Sequence, residues 1–128
     1  MLIRVDISSG IARIHLSGLA SHEGYLDAFE QMIQHPDFES GMNSIWDASS
    51  TDMSQFSVEE LRSFSAFADR HAEIRGRARG ALVIPSGEDS GLDAMARAIE
   101  DISLPVEMRV FRDIGAAEEW LASGDVDA

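Results

Sequence analysis

The residues with the densest chemistry lie in Ser44-Ile45-Trp46-Asp47-Ala48-Ser49-Ser50-Thr51-Asp52, followed closely by Ser57-Val58-Glu59-Glu60-Leu61. A short apolar run ends in a carboxylate and three hydroxyls, and a helix then opens with a capping box. In open α/β folds, ligands and partners are met beyond the carboxyl ends of the strands. Ser49, Ser50 and Thr51 are therefore candidate phosphoacceptors, Ser49 and Ser50 foremost. A phosphate near a helix N-terminus meets amides and a favourable dipole. The structural alternative is a polar loop whose hydroxyls satisfy backbone groups. Asp47 suits either support of loop amides or contact with a ligand. Ser57 has a structural role as N-cap, worth about 1 kcal/mol. Met53 and Phe56 are apolar residues in a stretch expected to be exposed, which makes them candidate contacts for a partner or a lipid. Alternatively, Phe56 staples the helix entry from the position before the cap.

Other chemistries are narrowed by what the chain lacks. It has no cysteine, which removes disulfides, thiolate catalysis and zinc–cysteine sites. All ten basic residues are arginine, so neither Schiff-base chemistry nor a phosphate-loop lysine is available. The loop Ser86-Gly87-Glu88-Asp89-Ser90-Gly91 precedes a helical pattern as phosphate loops do, but its two acids would repel a phosphate. Arg70, His71, Arg75, Arg77 and Arg79 suit an acidic peptide or a phosphate. The usual explanation of such a group is a solvated helix end, where cations complement the dipole. His15, His22, His35 and His71 are scattered without metal-ligand spacing. No nucleophile elbow is present, and Glu59-Glu60 and Glu118-Glu119 read as solvated helix surface. No cofactor and no metal are implied.

The elements that must position these residues follow from periodicity. Leu2 to Ile7 and Ile11 to Leu16 alternate as strands, joined by a short turn at Ser8-Ser9-Gly10. Ser21 opens a helix carrying Tyr25, Leu26, Phe29, Met32 and Ile33 at helical spacing, ended by His35-Pro36. Asn43 to Asp47 is a short strand. Ser57 caps a helix with the stripe Val58, Leu61, Phe64, Ala68 and Ala72, widened by Phe67 and Ile74 and stopped at Gly76. Ala81-Leu82-Val83-Ile84 is apolar throughout, as a strand buried on both faces requires. Leu92, Met95, Ala96, Ile99 and Ile102 form a third helical stripe. Val106 to Phe111 alternates, and Ala116, Ala117, Trp120 and Leu121 pack a final short helix. The order is β-β-α-β-α-β-α-β-α. Helices between strands imply right-handed crossovers, hence a mostly parallel five-stranded sheet with one antiparallel edge strand.

A chain of 128 residues is long enough for one sizeable core, expected over 1–122, with 123–128 a frayed tail. No run approaches the roughly 20 apolar residues of a membrane helix, and the N-terminus has no signal-peptide pattern, so a cytoplasmic protein is expected. The net charge of -13 is uneven: from Ala20 to Glu60 there are nine acids and no arginine. An acidic body disfavours nucleic acid and anionic membranes, and suits a basic or neutral partner.

The order and spacing of several short motifs resemble the SpoIIAA-like group of the STAS superfamily, which includes bacterial anti-sigma-factor antagonists. The matching features are the strand hairpin, His35-Pro36-Asp37-Phe38, Trp46-Asp47 at a strand end, and Ser57-Val58-Glu59-Glu60-Leu61 at a helix start. Gly91-Leu92-x-x-Met95-x-Arg97, Val110-Phe111-Arg112-Asp113 and Ala117-x-x-Trp120-Leu121 complete the set. The resemblance spans Met1 to about Ala122. In the antagonists, a serine in an Asp-Ser-Ser/Thr-Gly-type motif near the start of the second helix is phosphorylated by a partner kinase. The nearest text here is Asp47-Ala48-Ser49-Ser50-Thr51, without the glycine and with Asp52 to Phe56 intervening.

Two functions follow as expectations. The first is a non-enzymatic regulatory module of STAS type that binds a protein partner through Asp47, Ser49, Ser50, Thr51, Met53 and Phe56, switched by phosphorylation. The second is a small apolar-ligand or lipid-binding domain, motivated by Phe56, Phe64 and Phe67 around the second helix. An enzyme ranks behind both because no reactive constellation is visible. A homodimer suits either, since the first hairpin and the last strand offer sheet edges that need cover.

Overall fold

The computed structural model describes residues 1–53, 57–76, 78–85, 97 and 106–123. The elements are β1 (Leu2–Ser8), β2 (Ile11–Leu19), α1 (His22–Gln34), β3 (Asn43–Asp52), α2 (Val58–Arg70), α3 (Ala72–Arg75), β4 (Ala78–Val83), β5 (Val106–Phe111) and α4 (Ile114–Ser123). The loop 86–91, the stripe from Leu92 to Ile102 and Phe56 lie outside the described residues.

The sheet runs β1-β2-β3-β4-β5, with β1 antiparallel to β2 and the remaining pairs parallel. The expected sheet, mostly parallel with one antiparallel edge strand, is therefore the one observed. Ser9 and Gly10 turn the hairpin with φ of 53° and 76°, the left-handed pair that matches the twist of the two strands. Ser21 caps α1 by accepting the Gly24 amide at 3.0 Å, and the helix ends before His35, whose backbone is already extended.

One sheet face packs against α1 and α2. Ala12, Ile14, Leu16, Trp46, Ala48 and Leu82 meet Tyr25, Ala28, Phe29 and Met32, with Phe64 and Phe67 closing the layer. The other face joins Ile45, Ala81 and Val83 to Ala117 and Leu121 of α4. Asp113 starts α4, its carboxylate accepting the Ala116 amide at 3.0 Å. Ala81 to Ile84 are all buried, as a central strand covered on both faces must be.

Several boundaries differ from the sequence expectation. β3 continues to Asp52 instead of ending at Asp47. β2 also runs on, to Leu19, and so offers Ser17, Gly18 and Leu19 as partners for Ser50, Thr51 and Asp52. Between the pairs His15–Asp47 and Ser17–Ser50, β3 carries one residue more than β2, which is a bulge. The helix expected from Ser57 to Gly76 is broken at His71. There the ring Nδ1 donates to the Phe67 carbonyl at 2.9 Å, where an uninterrupted helix uses the backbone amide. The short α3 follows, and Ile74, expected on the apolar stripe, is exposed.

Tyr25 is buried at the centre of this layer, within 6.3 Å of the Trp46 ring and 5.8 Å of the Phe64 ring. Burial raises its phenol well above the ordinary range, because the phenolate would be desolvated. In the unfolded chain the group titrates near about pH 10. The neutral phenol therefore favours folding fully below that pH, and the contribution is lost as pH rises beyond it. Tyr25 is the one tyrosine of the chain, so alkaline titration reads it alone. Phenolate absorbance should appear only together with loss of helical dichroism. A phenolate band at the ordinary midpoint with dichroism intact would contradict this burial.

Candidate functional site

Parallel pairing sends the ends of β2 and β3 to the same edge of the sheet, so the starts of α1 and α2 meet there. Three bonds tie this end together. The Ala20 amide donates to the Asp52 carbonyl at 2.8 Å. The Ser57 hydroxyl accepts the Glu60 amide at 3.1 Å, which is the expected cap. The Glu60 carboxylate accepts the His22 amide at 3.1 Å. The capping box anticipated from Ser57 and Glu60 is thus half formed: the carboxylate reaches across to the first turn of α1 and links the two helices.

The bulge organises the hydroxyl stretch. Asp47 Oδ1 accepts both the Ser49 amide at 3.1 Å and the Ser49 hydroxyl at 2.5 Å. Thr51, anticipated as a loop hydroxyl, is buried in the strand and donates to the Ala48 carbonyl at 2.7 Å. Ser49 and Ser50 are exposed. The extra residue of the bulge sets this phase, turning Ser49 and Ser50 outward and Thr51 inward. Among the described residues, the Ser50 side chain makes no hydrogen bond.

The remaining candidates separate. Met53, anticipated as an exposed contact, is 8% exposed and belongs to the core. Its thioether fills the layer beneath the strand end, so it offers no surface to a partner. Phe67 is half-buried, with its ring 5.5 Å from Phe29 and 4.3 Å from His71. That position joins α1 to α2. Of the arginine group, Arg77 lies outside the described residues, and Arg70 and Arg79 stand apart. Arg79 pairs with Glu107 at 3.3 Å and lies 5.1 Å over the Trp120 ring on the opposite sheet face, while Arg70 is exposed at the end of α2.

The electrostatics of the strand end are acidic. Glu23, Asp52 and Glu59 are exposed there, with Asp47 and Glu60 half-buried. Such a rim repels free anions despite the two helix N-termini, and attracts cationic surface. His15 faces Asp6 at 3.5 Å on another part of the sheet, and His35 Nδ1 accepts the Asp37 amide at 3.1 Å. His71 is committed to Phe67. No histidine is hydrogen-bonded to Ser49 or Ser50 among the described residues. Nor do three His, Asp or Glu side chains converge there as a metal site would require. No helix among them is long and apolar enough to cross a membrane.

No family model and no curated protein matches the chain. A solved structure does: an uncharacterised protein of the DUF3478 family with a SpoIIAA-like fold, from Shewanella loihica PV-4. The two share 18% identity and a TM-score of 0.57, with 94% of this chain and 92% of that one covered. At that identity the likeness is one of fold, and it extends over nearly all of both chains. Together with the hairpin, the parallel order and the helix placement, it establishes that this chain has the SpoIIAA-like fold.

Proposed function

We propose that this chain is a non-enzymatic interaction module of STAS type that meets a protein partner at the end of β3. Phosphorylation of Ser50 or Ser49 acts as its switch. One observation carries the reading. Within Asp47 to Asp52, Ser49 and Ser50 are the exposed hydroxyls, held on a bulged strand beside the starts of two helices. A phosphate adds roughly -1.5 to -2 charges at neutral pH. Beside Asp47 and Asp52 that addition deepens an already negative rim, which strengthens contact with a basic partner surface or breaks contact with an acidic one. Ser50 is the better acceptor, because phosphorylation of Ser49 must first displace its bond to Asp47.

The apolar-ligand reading rests on Phe64 and Phe67, whose rings pack against Tyr25, Phe29 and Trp46 in the α1–α2 layer. A cleft of about 360 Å³ lies at the other end of the sheet, where Ser8, Ser9, Asp37 and Glu39 line it with Ile7 and Met42. Its polar wall suits water better than a lipid chain. In native mass spectrometry, a retained small-molecule adduct would favour the apolar ligand over the protein partner. The switch is tested by mapping phosphate on protein isolated from its own cells. A phosphoserine at Ser50 or Ser49 is expected. Phosphate confined to other residues, or absent under every growth condition tried, would remove the switch from the account.

A further inference from the structure

Among the described residues, β1 is an outer strand and pairs only with β2. Its free side presents backbone donors and acceptors that a further strand can satisfy. The seven residues Leu2-Ile3-Arg4-Val5-Asp6-Ile7-Ser8 have a two-fold character about Val5. Ile3, Val5 and Ile7 face the α1 layer and are only half-buried, whereas Leu2, Arg4, Asp6 and Ser8 are exposed. Leu2 is the most exposed large apolar residue described, at 75%.

We propose that a second copy of this chain pairs antiparallel along β1 about a two-fold axis at Val5. In that register each Arg4 stands opposite Asp6 of the second copy, each Ile3 opposite Ile7, and Val5 opposite itself. Opposite charges facing each other across an antiparallel pair stabilise it, and like charges destabilise it. Registers centred on Arg4 or Asp6 set like charges face to face. Those centred on Ile3 or Ile7 leave part of the strand unpaired. A slip by one residue turns the apolar row of one copy to the polar side of the other. The Val5 register alone matches every position of the strand. The resulting interface is isologous, as most homodimers are.

Charge also selects this edge. Two bodies of net charge -13 repel each other. From Met1 to Leu19, however, Arg4 and Arg13 face a single acid, Asp6, so the hairpin is the part of the acidic N-terminal half where two copies can approach. Within one copy, Asp6 Oδ2 already lies 3.2 Å from Arg4 Nε and 3.5 Å from His15 Nε2. Pairing adds the second copy's Arg4 to this cluster, twice per dimer. The proposal is independent of the β3 reading, and the failure of either leaves the other standing.

Sedimentation equilibrium of the full chain should give twice the 14.0 kDa chain mass. Arg4→Glu alone and Asp6→Arg alone should each weaken the dimer by at least about ten-fold, because two facing pairs become repulsive. The double variant Arg4→Glu/Asp6→Arg should restore wild-type association. Both side chains are more than half exposed, so circular dichroism should show every variant folded. The chain has no cysteine of its own. Val5→Cys should therefore form a disulfide-linked dimer under mild oxidation, and Ile3→Cys should not, since its counterpart lies four pairs away. A monomer at all concentrations would overturn the proposal. So would a dimer that survives both single swaps, a double variant that stays dissociated, or cross-linking of Ile3→Cys as efficient as that of Val5→Cys.

Discussion

Trp46→Ala should lower the free energy of unfolding by about 3–5 kcal/mol, the range for truncating a buried large aromatic. Trp46 is 5% exposed on the middle strand of the sheet, between Ile14 of β2 and Leu82 of β4. Its ring lies 6.3 Å from Tyr25 and 6.0 Å from Phe64, so it joins β3 to both α1 and α2. Its indole N–H donates to the Ser44 hydroxyl at 3.2 Å within the buried layer. Truncation removes the apolar area, the ring contacts and this bond together, and rigid strands on either side limit collapse into the void. Domains of this size have about 5–15 kcal/mol in total, so the variant should unfold at markedly lower urea. Trp46→Phe retains most of the packing and should recover more than half of the loss. Urea titration followed by helical dichroism measures both. A loss under about 1 kcal/mol for Trp46→Ala would mean that the layer is not packed around this ring.

Gly76→Ala is expected to cost about 2 kcal/mol or more, from left-handed strain and a backbone collision together. Gly76 follows α3 with φ of 75° and turns the chain toward β4. A Cβ there would stand 2.5 Å from both the Gly41 nitrogen and the Ser40 hydroxyl oxygen. The Gly41 backbone cannot retreat freely, because the Asn43 side chain two residues on accepts the Arg79 amide at 2.9 Å and holds the start of β3 against β4. Gly10→Ala is the control. It has a similar φ of 76°, but nothing lies within 4 Å of its added Cβ. It should show the conformational strain alone, near about 1 kcal/mol. Equal losses at the two positions in thermal or urea unfolding would remove the collision from the explanation.

Local pattern carried the reading of this fold wherever the determinants were local. The alternation of Ile3, Val5 and Ile7 against Arg4 and Asp6, the Ser21 and Ser57 caps, and the stop at His35-Pro36 all reflect neighbours within one turn or one pleat. Strand direction was legible for the same reason, since helical stripes between strands force parallel crossovers. The bulge after Asp47 was not legible. One additional residue leaves no mark on composition, and its effect is set by how far β2 extends as a partner. Which hydroxyls face solvent follows from that phase, so Thr51 read like Ser49 and Ser50 although it is buried. Met53 failed as an exposed contact because the strand continues past Asp47 and brings it over the core. The break at His71 was masked by an apolar period that runs on unchanged. Glu60 meets the His22 amide, a residue far away in sequence, and only the packing of α1 beside α2 creates that partner.

We propose that a protein partner reads the charge of Ser49 and Ser50 at the end of β3. The most direct test is quantitative capture from the protein's own cells, comparing Ser49→Ala/Ser50→Ala with Ser49→Asp/Ser50→Asp baits. Both side chains are exposed, so both baits should fold as the unaltered chain does. At least one protein is expected whose direct binding to the two purified baits then differs by about ten-fold or more, or about 1.4 kcal/mol. An identical set of captured proteins, bound with equal affinity by both baits, would contradict it.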